Sequence, residues 1–298
     1  MPPSKSRRRG RIGAAHVNIP SIRDKCPHFR ILVMGKSNAG KTTILKKVCN
    51  TVDDPIIWSP SGEQIDASVV APSAERGYHD INNQMIFKSN PEFIFHDSRG
   101  FECGSVDETE TVKRFLSERA QAGELKDQVH AVWYCLPTNT ARPILAADEM
   151  FFNECGIGKA PVIVIFTKFD GLVTTSFNEL CGHLGIKEAR KQAPALAEIK
   201  LDTHFKKPLQ ASKFPPTASL HLGDMQRGNA TCSEVIEVTA NAITDDALKG
   251  LFLSVQQSNI DLCIHYALSH ANLAEEGPEE LTQEALYSFP HIWVKRGC

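Results

Sequence analysis

The octapeptide Gly35-Lys36-Ser37-Asn38-Ala39-Gly40-Lys41-Thr42 constrains this chain more than any other stretch. It satisfies the phosphate-loop pattern G-x-x-x-x-G-K-[ST] at every fixed position. The apolar run over residues 29–34 reads as a buried strand, and residues 43–49 read as the opening turns of a helix. Strand, loop and helix together make an anion site, because the helix N-terminus aims backbone N–H groups and a positive dipole end at the ligand. Gly35 and Gly40 are expected to let the backbone pass close to phosphate oxygens. Lys41 is expected to reach the β- and γ-phosphates, and Thr42 to offer its hydroxyl to Mg²⁺. The expected nucleotide contacts are thus Gly35, Lys36, Ser37, Asn38, Ala39, Gly40, Lys41, Thr42 and Thr43, with Lys41 also catalytic.

From Phe29 onward, strands and helices alternate, the pattern of an α/β sheet with parallel strands. Residues 81–87 and 92–96 read as a hairpin across Lys88-Ser89-Asn90-Pro91. Residues 129–136, 161–166 and 218–222 read as further strands, and 108–119, 146–152, 176–207 and 232–271 as helical. The predicted fold is α/β: a three-layer phosphate-loop NTPase domain with a mostly parallel sheet and C-terminal helices.

Two more motifs sit at strand ends. Asp97-Ser98-Arg99-Gly100 is D-x-x-G, placed 56 residues after Lys41. Asp97 there can hold Mg²⁺, and the Gly100 N–H can sense a γ-phosphate, so Gly100 joins Lys41 as a catalytic candidate. Thr167-Lys168-Phe169-Asp170 fits [NT]-K-x-D. One carboxylate, Asp170, can accept from both N1–H and the 2-amino group of guanine; adenine would leave it buried and unpaired. Lys168 can lie along the base, and Thr167 is expected to fix the loop by hydrogen bonding.

With these three motifs in this order, the chain resembles the translation-factor-related class of P-loop GTPases. The spellings Arg76-Gly77-x-His79-Asp80-Ile81, His96-Asp97-Ser98-Arg99-Gly100-Phe101-Glu102 and Phe166-Thr167-Lys168-Phe169-Asp170 look most like uncharacterised fungal G-domain proteins. Those are distant relatives of the Era-like and immunity-associated (AIG1-like) GTPases. The motifs cover residues 29–170, and Leu251-Phe252-x-Ser254-Val255-Gln256-Gln257-x-Asn259 extends the likeness to about residue 271. The resemblance implies binding of GTP and GDP, with Mg²⁺ on Thr42, Asp97 and a first-switch hydroxyl, Ser73 or alternatively Ser68. It implies a loop contacting guanine O6 after the last strand, Gly223-Asp224-Met225 by its place, with Thr239-Ala240-Asn241, closer in spelling but inside a helical stretch, as the alternative. Asn38 matches the loops of potassium-stimulated GTPases, which adds K⁺ as a second cation; bracing of its own loop is the alternative. Phe101 stands where a water-orienting glutamine is common, so hydrolysis is expected to be slow unless Arg76, His79 or Arg99 takes that role. The expected function is a regulatory Mg²⁺-dependent GTPase; the alternative is a GTP-dependent scaffold or oligomerising module.

Bulk properties narrow the partners. The 298 residues carry a net charge of −2, so no global positive field recruits nucleic acid. The nine cysteines form no C-x-x-C pair, which fits a reducing cytoplasm. No apolar run is long enough for a transmembrane helix. Partners are expected to be proteins, or further copies of this chain. Residues 1–28 read as a flexible basic tail, with a transit peptide or nuclear signal as alternatives; 29–225 as the G domain; 226–274 as helices packed on it; and 275–298 as a second tail.

Overall fold

The computed structural model describes residues 19–65, 80–98, 106–156, 158–256 and 259–270. In chain order the elements are α1 (Ile19–Lys25), β1 (Phe29–Gly35), α2 (Lys41–Val48), β2 (Ile56–Trp58), β3 (Gln64–Ile65), β4 (Gln84–Phe87) and β5 (Asn90–Asp97). Then come α3 (Val106–Ala120), β6 (Ala131–Pro137), α4 (Ala146–Glu154), β7 (Val162–Thr167), α5 (Phe169–Cys181), α6 (Ile186–Leu201), α7 (Lys207–Gln210) and β8 (Ala218–His221). Helices α8 (Ser233–Ala242), α9 (Asp246–Val255) and α10 (Ile260–His270) follow. One sheet runs β3-β2-β4-β5-β1-β6-β7-β8. The block β5-β1-β6-β7-β8 is parallel, and β4, β2 and β3 continue it as an antiparallel edge.

The strands of the parallel block read as unbroken apolar runs because both faces are covered. Side-chain alternation then divides them between two cores. Phe29, Ile31, Val33, Trp133, Cys135, Ile163 and Ile165 face one core with α1, α2, α8, α9 and α10. Leu32, Met34, Val132, Tyr134, Leu136, Val164 and Phe166 face the other with α3, α4, α5, α6 and α7. Helix, sheet and helix make three layers.

Several elements depart from the sequence expectation. Residues 19–25 are helical rather than extended lead-in, because α1 packs on α9: Ile19 is buried, and Arg23 donates to the Ser254 carbonyl at 3.0 Å and pairs with Glu92. The stretch 176–207 is interrupted. Helix α5 starts earlier, at Phe169, and ends before Gly182-His183-Leu184-Gly185, whose glycines disfavour continuation. A π-helical turn, Asp202–Lys206, then joins α6 to α7. The 232–271 stretch is three helices, and the short strands β2 and β3 carry no periodicity that marks them in the sequence.

Arg30 organises a buried polar cluster beneath the sheet's amino end. Its Nη1 donates to His96 Nε2 at 3.3 Å, which leaves His96 Nδ1 to donate to the Ile81 carbonyl at 3.0 Å. The Arg30 N–H donates to His130 Nδ1 at 3.0 Å, and His130 Nε2 donates to the Leu125 carbonyl at 2.8 Å. Both rings are therefore held neutral. Burial and the nearby Arg30 depress the pKa of His96 to about 3 and of His130 to about 4. The unfolded rings take up protons near pH 6.5, the native ones only far below it. Their stabilisation is thus complete above about pH 6.5 and is lost as pH falls towards 4 and 3. Each ring contributes a slope of up to about 1.4 kcal/mol per pH unit in that window. Urea titrations between pH 7 and pH 4.5 should show this loss, and His130→Asn should give a shallower slope than the wild type.

Candidate functional site

Parallel pairing brings the carboxyl ends of five strands to one edge: Gly35, Asp97, Pro137, Thr167 and His221. The strand β1 lies between β5 and β6, so the chain leaves it in both directions, and this is where open α/β sheets hold ligands. The phosphate loop follows β1 at this point.

Gly35 is in register with Cys135 and has φ +133°. A Cβ on it would stand 2.2 Å from the Cys135 carbonyl oxygen. The neighbour that demands glycine at this position is thus the β6 backbone. The loop continues through Asn38 (φ +57°) and Gly40 (φ +85°), with the Ala39 N–H donating to the Lys36 carbonyl at 3.2 Å. Helix α2 begins at Lys41 with no side-chain cap. Its first N–H groups have no side-chain cap acceptor, and an anion can supply one. Ser37, Asn38, Thr42 and Thr43 are exposed, Lys36 half-buried and Ala39 buried. Lys41 folds back over the loop; its Nζ donates to the carbonyls of Gly35 at 2.9 Å and Lys36 at 3.1 Å, and stands 3.9 Å from Asp97 Oδ1.

Asp97 ends β5 beside Val33. Its Oδ1 is buried and accepts no hydrogen bond. Burial pushes its carboxyl up from 3.8 to about 6, against the opposing pull of Lys41. A folded-state pKa raised above the unfolded value makes the charged form costly: the penalty is absent below pH 3.8 and fully present above about pH 6. At about 1.4 kcal/mol per pKa unit, Asp97→Asn should stabilise the nucleotide-free protein at neutral pH by up to about 3 kcal/mol. Thermal melts at pH 7.5 check this, and an unchanged or lower midpoint would show that the carboxylate is not under strain.

The third motif closes the other side. Thr167 Oγ1 donates to the Ala39 carbonyl at 2.8 Å, tying the end of β7 to the 35–42 loop. Lys168 takes φ +56° at the N-cap of α5. Asp170 Oδ1 accepts from the Asp224 N–H at 2.9 Å, so the segment 223–225 meets the motif directly. Arg227 Nε stands 3.2 Å from Asp224 Oδ1, and Lys47 of α2 donates to the carbonyls of Arg227 at 3.0 Å and Gly228 at 3.1 Å. The other candidate, Thr239-Ala240-Asn241, lies within α8; Thr239 is buried and accepts from Trp133 Nε1 at 3.0 Å. A cleft of about 610 Å³ opens beside Asp170, lined also by Val173, Thr174, Met225 and Glu234.

Gly100 and Ser73 lie outside the described residues, as do Ser68, Arg76, His79, Arg99 and Phe101. The structure brings the remaining candidates together at one edge. It adds Thr138, which sequence reading passed over. Its Oγ1 lies 3.1 Å from both the Thr167 and the Lys168 carbonyl oxygens. A lone threonine after a strand carries no motif that could have marked it.

No family model matches the chain. It is 26% identical over 198 residues to shikimate kinases of Burkholderia thailandensis and of two Burkholderia pseudomallei strains, covering 62% of this chain and 97% of each of those proteins. Among solved structures it is similar to a mutant S. thermophilus NFeoB bound to GDP, at 12% identity and a TM-score of 0.37, over 90% of this chain and 79% of that one. Among the described residues, no helix is long and apolar enough to cross a membrane. The loop, the helix it opens and the strand order around it make this chain a three-layer α/β protein of the P-loop nucleotide-binding fold.

Proposed function

We propose that the protein binds guanine nucleotides with Mg²⁺ and hydrolyses GTP slowly as a regulatory switch. The observation that carries this reading is the hydrogen bond from Thr167 to Ala39, which joins the phosphate loop to the base-recognition motif at one edge. Lys41 and the N–H groups of the loop and of the first turn of α2 would take the phosphates, exchanging the carbonyls of Gly35 and Lys36 for phosphate oxygens. Asp170 would accept from the guanine edge, with Asp224 holding its other side. The 223–225 segment, which meets Asp170, would be the loop that contacts guanine O6.

Mg²⁺ fits the residues present. Asp97 has a buried oxygen without a hydrogen-bond partner, and Thr42 offers a hydroxyl; hard oxygen donors in small number suit an ion that also binds phosphates. When bound, the ion supplies charge neutralisation on the phosphates. Asn38, exposed on the loop, would serve K⁺ in the same way, and Ser73 and Gly100 would complete the site from the switches. A cytoplasmic setting is supported by the cysteines, all seven of the described ones being free.

The test is a titration of purified protein with GTP, GDP and ATP, with and without Mg²⁺, followed by single-turnover hydrolysis in K⁺ and in Na⁺. GTP preferred over ATP is the expected result; equal affinity would overturn the guanine assignment. Turnover at the uncatalysed rate would favour the scaffold reading, which Phe101 in place of glutamine supports. Equal rates in the two salts would remove K⁺.

A further inference from the structure

We propose that Thr138 is a positioning residue for base recognition: from the end of β6 it holds the Thr167–Lys168 turn in the conformation that aims Asp170. The proposal rests on the guanine reading above and assigns function to a segment that no motif covers.

Thr138 is 1% exposed and directly follows β6. Its N–H donates to the Thr167 carbonyl at 2.9 Å. Its single hydroxyl proton is shared between the carbonyls of Thr167 and Lys168, each at 3.1 Å. Both peptides of the turn are therefore gripped by one side chain. The grip matters because Lys168 is left-handed at φ +56°, a conformation that costs a non-glycine residue about 1–2 kcal/mol. Without an external partner that turn would relax, and the first turn of α5, which carries Asp170, would rotate with it.

The segment after Thr138 is itself braced. Asn139 packs against Gly171, where a Cβ would stand 2.7 Å from the Asn139 Cβ. Further along, Asp148 Oδ2 accepts from the Leu145 N–H at 2.8 Å, while Asp148 Oδ1 accepts from the fully buried Tyr134 hydroxyl at 2.7 Å. The segment is thus tied to β6 and α4 at one end and to α5 at the other. Asp170 sits between two supports, Thr138 acting through the turn and Asp224 acting on its carboxylate.

The test uses the full chain and three probes: GTP; inosine triphosphate, which lacks the 2-amino group that Asp170 would accept from; and inorganic triphosphate, which has no base. Thr138→Val removes the hydroxyl at nearly constant volume, and Thr138→Ser keeps it. In Thr138→Val the affinity for GTP should fall about 10-fold or more, and the GTP-to-inosine-triphosphate ratio should collapse towards one. Binding of inorganic triphosphate should hold, and Thr138→Ser should restore the ratio. A merely structural role would lower all three affinities together, or melt the protein, without changing the ratio. A folded Thr138→Val with the wild-type ratio overturns the proposal. If that variant does not fold, Gly171→Ala, which drives a methyl group against Asn139, gives the same readout. A collapsed ratio then supports the proposal and an unchanged one overturns it. Failure of the guanine reading is separately visible, because the wild type would already lack a preference for GTP over ATP.

Discussion

Lys41→Ala should cost the protein about a hundredfold or more in GTP affinity while leaving it folded. The Lys41 ammonium sits over the loop, donating to two carbonyls and facing Asp97. Phosphate oxygens are stronger acceptors than carbonyls, and a charge-assisted hydrogen bond contributes about 1.5–3 kcal/mol. Removing one such donor, with its positive charge, from a site of dense negative charge gives the expected factor. The fold should tolerate the change, since Lys41 belongs to neither hydrophobic core. Nucleotide titration beside far-UV circular dichroism checks both halves. Unchanged GTP affinity in a folded variant would mean that the loop is not a phosphate site. A second effect follows from Asp97. Among the described residues Lys41 is the group that lowers its pKa, so in Lys41→Ala that carboxyl should titrate above about 6.

Asp170→Asn should weaken GTP by about two orders of magnitude and raise the affinity for xanthosine triphosphate. A carboxylate accepting two hydrogen bonds from guanine becomes, on substitution, an amide that presents a donor to the 2-amino group; both groups are then left unsatisfied. Xanthine carries a carbonyl at that position and can accept from the new amide. Discrimination of this kind, built on buried polar groups left unpaired, reaches factors of about 10⁴ or more. The local structure should survive, because the asparagine Oδ1 can still accept from the Asp224 N–H, as Asp170 does at 2.9 Å. Competition titrations with GTP, ATP and xanthosine triphosphate decide the matter. A variant that keeps its preference for GTP would take the base-reading role away from Asp170.

The sequence by itself determined the sheet's central strands, the phosphate loop and the order of the three motifs. Those features are local: a buried parallel strand needs an unbroken apolar run, and a loop that cradles phosphate needs glycine and lysine at set spacing. What only the tertiary structure decided are contacts between residues far apart in the chain, which depend on strand order and register. Gly35 is glycine because β6 brings the Cys135 carbonyl against it. Residues 19–25 are helical because α9 offers a surface that Ile19 can bury against. Of the two segments that could serve as the O6 loop, the sequence favours 223–225 only by its place after the last strand and 239–241 by its spelling; folding puts 239–241 inside α8 and 223–225 against Asp170. Thr138 is one of four buried threonines among the described residues until the pairing of Pro137 with Thr167 sets its hydroxyl beside the Lys168 carbonyl. Hydrophobic patterning specifies which face of a strand is buried, but the partner a polar side chain meets is specified only when two strands have taken their register.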